Sequence, residues 1–280
     1  MKKISDILPY FIKELSSYYM SRREIISVAY LVIEHYLKFN RSDVIIYNDD
    51  DINKNYIDAF KNIVSELKHG KPIQYILSET LFLNLKIHIN SNVLIPRPET
   101  EELVEWIIKD NQGSHKDYLD IGTGSGCIII SLAKRLQGKF TGIDISNDAL
   151  QVARKNVTNH NVDVNLENID IIENNLLSKW DVIVSNPPYV LESEKKLLDK
   201  NIFYEPEIAL FVDNNDPLLY YKHIAEQSVK CLNNDGILYF EINQNFGHDI
   251  CNMLSDEGFV NIELKKDIND KERMIKAILK

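Results

Sequence analysis

Hydrophobic residues along this chain change their spacing twice. Over residues 1–73 they recur every three or four positions, as on one face of a helix. Ile25, Val28, Val32, Tyr36 and Phe39 form one such series, and Ile57, Phe60, Val64 and Leu67 form another. Ser21 with Glu24 has the form of a capping box at the start of the first. Gly70 and Pro72 follow the second in the order that ends a helix. The pattern predicts a helix over Lys54–Lys68 within a small N-terminal helical bundle that could grip a partner. From Gln74 to Ile95 the period shortens to two. Leu81, Leu83, Leu85, Ile87 and Ile89 alternate with Phe82, Asn84, Lys86 and His88. With Asn90-Ser91-Asn92 as a turn signal, residues 74–95 read as a β-hairpin linker between two domains.

From residue 96 to 280, short apolar runs alternate with amphipathic stretches. Strands are expected over Tyr118–Ile121, Phe140–Ile143, Val162–Leu166, Asp181–Ser185, Ile237–Ile242, Val260–Leu264 and Met274–Leu279. Helices are expected over Glu99–Lys109, Cys127–Leu136, Asp148–Asn159, Leu218–Leu232 and His248–Glu257. Such alternation implies an α/β fold, a mostly parallel Rossmann-like sheet covered on both faces. A short polar loop joins the last two strands and cannot hold a crossover helix, so they should pair antiparallel. Ligands in such sheets bind beyond the carboxyl ends of the strands.

Composition narrows the class. The 280 residues are 44% hydrophobic and 26% charged, as in a globular protein. No apolar run approaches the roughly 18–20 residues that span a bilayer. The first residues, Met1–Asp6, lack the apolar core of a signal peptide. Cys127, Cys231 and Cys251 are odd in number and far apart, with neither metal nor disulfide spacing. A reducing, cytoplasmic location and no metal centre are expected. The net charge is −10, and the excess acid lies beyond residue 75. An acidic surface repels phosphate backbones, which disfavours duplex DNA or long RNA as partners.

Two segments carry candidate chemistry. Asp120-Ile121-Gly122-Thr123-Gly124-Ser125-Gly126 follows a strand and opens a helix, and glycines there let the backbone approach a ligand. Asp144 ends the next strand, where an acid accepts hydrogen bonds from ribose hydroxyls. The spacing is G-x-G-x-G, without the further residue of a dinucleotide loop or the lysine of a P-loop. A nucleoside cofactor without pyrophosphate fits better, and S-adenosylmethionine is one. The bland alternatives are tight strand–helix packing for the glycines and a helix-capping turn for Asp144. The second segment, Ser185-Asn186-Pro187-Pro188-Tyr189, follows the apolar run Trp180–Val184. Its prolines offer carbonyl acceptors and no N–H, Asn186 adds an amide, and Tyr189 adds a flat ring. Such a rigid notch suits a planar –NH2 group, although an ordinary loop could also hold two prolines. Arg97, Glu99 and Glu101 read equally as cofactor neighbours or as a helix first turn. Cys127 reads as core, and Asp49-Asp50-Asp51 as a solvated turn.

With these residues in view, the chain resembles the class I S-adenosylmethionine-dependent methyltransferases. Within them it is similar to the protein-(glutamine-N5) methyltransferases that modify peptide release factors. The resemblance rests on Pro72–Ile76, Leu94–Glu101, the glycine loop, Asp144, Asn186–Tyr189 and Glu205–Leu210. It implies a seven-stranded methyltransferase sheet and S-adenosylmethionine as cofactor. It implies that Gly122, Gly124 and Gly126 line the methionine end, that Thr123, Ser125 and Ile171 also bind the cofactor, and that Asp144 holds the ribose. Asn186 would touch both cofactor and substrate, with Pro187, Pro188 and Tyr189 completing the substrate pocket. The implied substrate is the glutamine of a Gly-Gly-Gln loop in release factors. Two positions depart from the family pattern. Ile171 follows Asp170 where an aromatic often packs on adenine, and Asn243 stands where glycine often follows the acid Glu241. Enzymes that methylate a ribosomal-protein glutamine differ at Ile95–Glu101. The rival readings are methylation of adenine N6 or guanine N2 and a non-catalytic binding module.

Overall fold

Local rules set the N-terminal elements. In the computed structural model, which describes residues 1–18 and 21–280, Ser21 caps a helix and accepts from the Glu24 backbone N–H. The chain divides into two compact units, residues 1–78 and 79–280. In the first, a short 3-10 turn precedes α1 (Ile7–Leu15), α2 (Arg22–Leu37), α3 (Arg41–Ile46), α4 (Lys54–Lys68) and α5 (Ile73–Leu77). Ile7, Phe11, Ile25, Val32, Phe60 and Val64 interlock as its core. Burying such side chains contributes about 1.5–3 kcal/mol each before entropy is counted. The expected α4 series is the buried one except for Ile57, which is half-buried. Phe39 lies past the end of α2, because Lys38 adopts the left-handed conformation (φ 59°) and stops the helix.

The second unit begins with a hairpin, β1 (Glu79–Phe82) and β2 (Leu85–His88). The alternation expected from Gln74 starts later, because Gln74–Leu77 belong to α5. Its phase also breaks at the turn. Leu83 and Asn84 both have positive φ (47° and 63°), the twist that suits a two-residue hairpin. Phe82 and Ile87 are therefore buried, while Leu81 is exposed. The hairpin is bolted to its own unit. Glu101 Oε1 accepts from the Leu83 N–H at 2.8 Å, and Arg135 Nη2 donates to the Leu83 carbonyl at 2.7 Å.

Beyond it come α6 (Pro98–Asn111), β3 (His115–Ile121), α7 (Cys127–Ala133), β4 (Gln137–Asp144), α8 (Asn147–His160), β5 (Asn165–Asn168) and β6 (Trp180–Ser185). Then follow β7 (Val190–Leu191), three 3-10 turns within residues 192–209, β8 (Phe211–Val212), α9 (Leu219–Cys231) and β9 (Leu232–Glu241). The chain closes with α10 (Gly247–Asp256), β10 (Phe259–Lys266) and β11 (Glu272–Leu279). The main sheet has seven strands in the order β10-β11-β9-β6-β3-β4-β5. β11 runs antiparallel to both neighbours, and the other pairings are parallel. Strands buried on both faces read as continuous apolar runs, as Val182, Ile183 and Val184 do at no measurable exposure. The strand expected over Val162–Leu166 is shifted to Asn165–Asn168. Asn161 turns left-handed at the end of α8 (φ 49°), and the chain reaches β4 only when Asn165 faces Thr141.

One buried amide ties the hairpin to the glycine loop. Asn156, on α8, is fully buried. Its Oδ1 accepts from the His88 N–H at 2.8 Å, and its Nδ2 donates to the His88 and Ser125 carbonyls at 2.8 and 2.9 Å. Asn156→Ala leaves these backbone groups unpaired, at a cost of about 2–3 kcal/mol. Denaturant unfolding should move accordingly, and an unshifted transition would show that the amide holds nothing.

Candidate active site

β3 and β6 are parallel neighbours in register, with Ile121 opposite Ser185. The two motif segments therefore leave the sheet side by side. Ser185 Oγ donates to the Ile121 carbonyl at 2.7 Å and locks the two strand ends together. The Gly122 and Thr123 N–H groups both donate to the Ile143 carbonyl, each at 2.9 Å, which folds the loop over β4.

A cavity of about 190 Å³ opens at this edge. Gly122, Thr123, Gly124 and Ser125 line one side, Asp144 and Ile145 the next, and Ile169–Ile172 the far wall. Asn186, Pro187 and Pro188 close it, with Tyr220 and Ile224 of α9 below. The glycines divide by task. Gly122 and Gly124 have positive φ (74° and 54°); a Cβ would point into open space at Gly122 and meet only the Gly122 carbonyl, at 3.9 Å, from Gly124. Gly126 does not line the cavity. It caps α7 at φ 80°, and a Cβ would lie 3.0 Å from Ile130 and 3.4 Å from Ala153, so its place is packing. Ile171 does line the cavity, within an aliphatic slot.

Asp144 is tied to the loop. Its Oδ2 accepts from the Gly124 N–H at 2.8 Å and its Oδ1 from the Ser146 N–H at 2.9 Å. Burial nevertheless raises its carboxyl above the ordinary range. Ser146, not Asp144, caps α8. Cys127 is buried at the cavity edge, and burial pushes its thiol up to about 12, as expected of an inert core residue.

A second cavity, of about 180 Å³, is also bordered by Asn186 and Pro187. It shares Leu94, Arg97, Asn186, Pro187 and Ala209 with the first. Tyr189, Val190, Leu198, Ile202 and Leu210 complete it. Tyr189 thus faces only the smaller cavity and Pro188 only the larger. Arg97, which lines both, pairs with the buried Glu205 at 2.6 Å, and Glu205 also accepts from the Ile95 N–H at 3.1 Å. The two flanking motifs, Leu94–Glu101 and Glu205–Leu210, meet in this contact. Glu101 braces the hairpin instead.

Three residues outside the expected set organise the notch. Glu241, at the end of β9, is 1% exposed. Its Oε2 accepts from Thr100 Oγ1 at 2.6 Å and its Oε1 from Tyr189 OH at 3.1 Å. Thr100 in turn accepts from Asn186 Nδ2 at 3.3 Å. Asn243 donates from Nδ2 to the Tyr189 carbonyl at 3.0 Å. Its place after Glu241 is therefore structural. In the sequence the segment around Pro98–Glu101 read equally as cofactor neighbours or as a helix first turn, and nothing joined Thr100 to Glu241.

This chain is similar over almost its full length to known proteins. A release factor glutamine methyltransferase from Flavobacterium psychrophilum is 45% identical over 274 residues, covering 95% of this chain and 96% of the relative. The chain belongs to the release factor glutamine methyltransferase family. Another member, from Bacteroides thetaiotaomicron, is 43% identical over 78% of this chain and 79% of its own. The family models agree by region: the PrmC N-terminal domain matches residues 8–77, and the methyltransferase small domain matches residues 98–210. The fold extends further. A Pyrococcus furiosus methyltransferase superposes with a TM-score of 0.55 at 17% identity, over 78% of this chain and 98% of that one. A T. thermophilus 16S rRNA methyltransferase does so at 0.53 and 15%, over 72% and 50%. Among the described residues no cluster could hold a metal ion, and no helix is long and apolar enough to cross a membrane.

Beneath the glycine loop, Asp120 is fully buried and accepts from Thr123 Oγ1 at 2.6 Å. Its Oδ1 has no hydrogen-bond partner among the described residues. Burial pushes its carboxyl up to about 7. An unfolded chain returns it to about 4. The folded state thus holds this proton more tightly, and stability falls as pH rises through that window. Asp120→Asn has no such proton to lose. Between about pH 4.5 and about pH 7.5 the wild-type melting temperature should drop by several degrees relative to the variant. Parallel melting curves would refute the buried-acid assignment.

Proposed function

We infer that the protein transfers a methyl group from S-adenosylmethionine to the side-chain amide nitrogen of a glutamine in peptide chain release factors. The observation that carries the reading is the Asn186-Pro187 wall shared by two cavities, inside a chain of this family. The larger cavity suits the cofactor by its own chemistry. Gly122 and Gly124 leave a cradle free of side chains, Asp144 stands where ribose hydroxyls would lie, and the isoleucines offer an apolar slot for adenine. When bound there, S-adenosylmethionine supplies a methyl group on a positively charged sulfur, which departs as a neutral thioether.

The residues of the wall then face a weak nucleophile. An amide nitrogen shares its lone pair with its carbonyl, a resonance worth about 18–20 kcal/mol as a rotation barrier. Placement and electrostatics are what the protein contributes. Asn186 Nδ2 is engaged with Thr100, so Oδ1 is the atom turned to the substrate. Asn186 Oδ1 and the Pro187 carbonyl accept the two substrate N–H bonds. They hold the nitrogen at the wall and favour the positive charge that grows on it. Tyr189, pinned at its hydroxyl by Glu241 and at its carbonyl by Asn243, packs on the amide plane and excludes water. The surplus proton leaves to water. With release factors as substrate, the protein works in the cytoplasm.

The decisive experiment incubates the protein with methyl-labelled S-adenosylmethionine and a purified release factor, with tRNA or rRNA as the parallel arm. Label should enter the release factor and disappear when the acceptor glutamine is changed to alanine. Label in nucleic acid alone would overturn the reading. Asn186→Ala should abolish transfer with little change in cofactor affinity. Asp144→Ala should instead weaken cofactor binding about 10- to 100-fold, the loss of a hydrogen bond to a charged group. Calorimetric titration with the cofactor separates the two, and an unchanged dissociation constant for Asp144→Ala would refute the ribose assignment.

A further inference from the structure

Methyl transfer as read above needs the carbonyl oxygen of Asn186, not its NH2, turned toward the substrate. The two ends of a side-chain amide have nearly the same shape, so packing alone does not choose between them. A chain of three groups does, two of them buried. Glu241 is 1% exposed and Thr100 is 2% exposed. Thr100 Oγ1 lies 2.6 Å from Glu241 Oε2, and Asn186 Nδ2 lies 3.3 Å from Thr100 Oγ1. A hydroxyl has one proton. Burial raises the Glu241 carboxyl above its ordinary range, but both its oxygens face hydroxyls, Oε2 that of Thr100 and Oε1 that of Tyr189, and Thr100 gives its proton to Oε2. Its remaining lone pairs face Asn186, where only an NH2 can meet them. The opposite amide orientation would set oxygen against oxygen.

We propose that Thr100 is a positioning residue for methyl transfer: its hydroxyl, polarised by Glu241, fixes the amide of Asn186 with Oδ1 facing the substrate. Glu241 acts on both working parts of the notch, since its other oxygen holds Tyr189 OH at 3.1 Å. Thr100 sits on α6, Glu241 on β9 and Asn186 after β6. Three elements thus converge on one amide. The proposal rests on the reading of Asn186 as acceptor of the substrate N–H.

Thr100→Val keeps the shape and removes both hydrogen bonds. A misaligned acceptor should lower kcat for the release factor about 10- to 100-fold. The KM for the release factor and the cofactor dissociation constant should stay within about threefold, since neither depends on the orientation of Asn186 in the transition state. Thr100→Ser restores the hydroxyl and should return kcat to within about threefold of wild type. If Thr100→Val does not fold, Thr100→Cys serves. It keeps a weak donor for Glu241 but a poor acceptor for Asn186, and should lose kcat in the same way. In an Asn186→Asp background no NH2 needs the Thr100 lone pair, and the effect of Thr100→Val should shrink in the double-mutant cycle. Wild-type kcat for Thr100→Val, or a Thr100→Ser variant as impaired as the valine, would overturn the proposal. Asn186→Ala keeps the two questions apart. If it is inactive while Thr100→Val is normal, the positioning role alone falls. If it is fully active, the acceptor reading itself falls.

Discussion

Everything at the site depends on one parallel pairing. Ile121 of β3 lies opposite Ser185 of β6, and Ser185 Oγ holds the Ile121 carbonyl at 2.7 Å. A slip of one residue would turn every side chain of the strand to the opposite face. The glycine loop and the Asn-Pro-Pro-Tyr notch would then no longer open on a common edge. The pairing is secured by runs that are apolar on both faces, including Leu119 and Ile183. Hydrophobic burial thus sets the spacing of the chemistry without taking part in it.

Around that edge the site is built by pinning flexible pieces to rigid ones. Asn156 fastens the glycine loop to the hairpin. Asp144 fastens Gly124 to the start of α8. The Arg97–Glu205 pair joins two distant segments beside the cavities that Arg97 lines. Each bond in isolation is modest, about 1 kcal/mol net. Their use is geometric, since reacting groups must be held to a fraction of an ångström. Burial of Glu241 and Asp120 costs desolvation that a surface acid would not incur. Charge near the site is thereby used for orientation rather than for stability.

Much of the architecture was legible because it follows from local rules. The α4 boundaries, Lys54–Lys68, coincide with the periodic stretch, and Gly70 takes the positive φ expected after a helix. The seven strands and the antiparallel β11 followed from alternation and one short loop. Where the reading missed, a single backbone angle was the cause. Positive φ at Leu83 and Asn84 reversed the hairpin's phase, and Asn161 delayed β5. None of the three is glycine, and only the two asparagines belong to a type that readily turns left-handed. Gly126 shows the other side of this, since it lies off the cavity lining and a Cβ there would come within 3.4 Å of Ala153.

The sequence by itself determined the fold class, the two motif segments and the family resemblance. Each is written in contiguous residues whose types have few other uses. Only the tertiary structure decided which groups work together. Thr100 and Glu241 stand 141 residues apart, and Arg97 and Glu205 stand 108 apart. Nothing local marks such residues, because a threonine in a helix first turn and a glutamate at a strand end are ordinary. Their meaning arises when burial removes water and leaves each polar atom with one partner to find. That constraint, and not any motif, turns the Asn186 amide and gives the notch its direction.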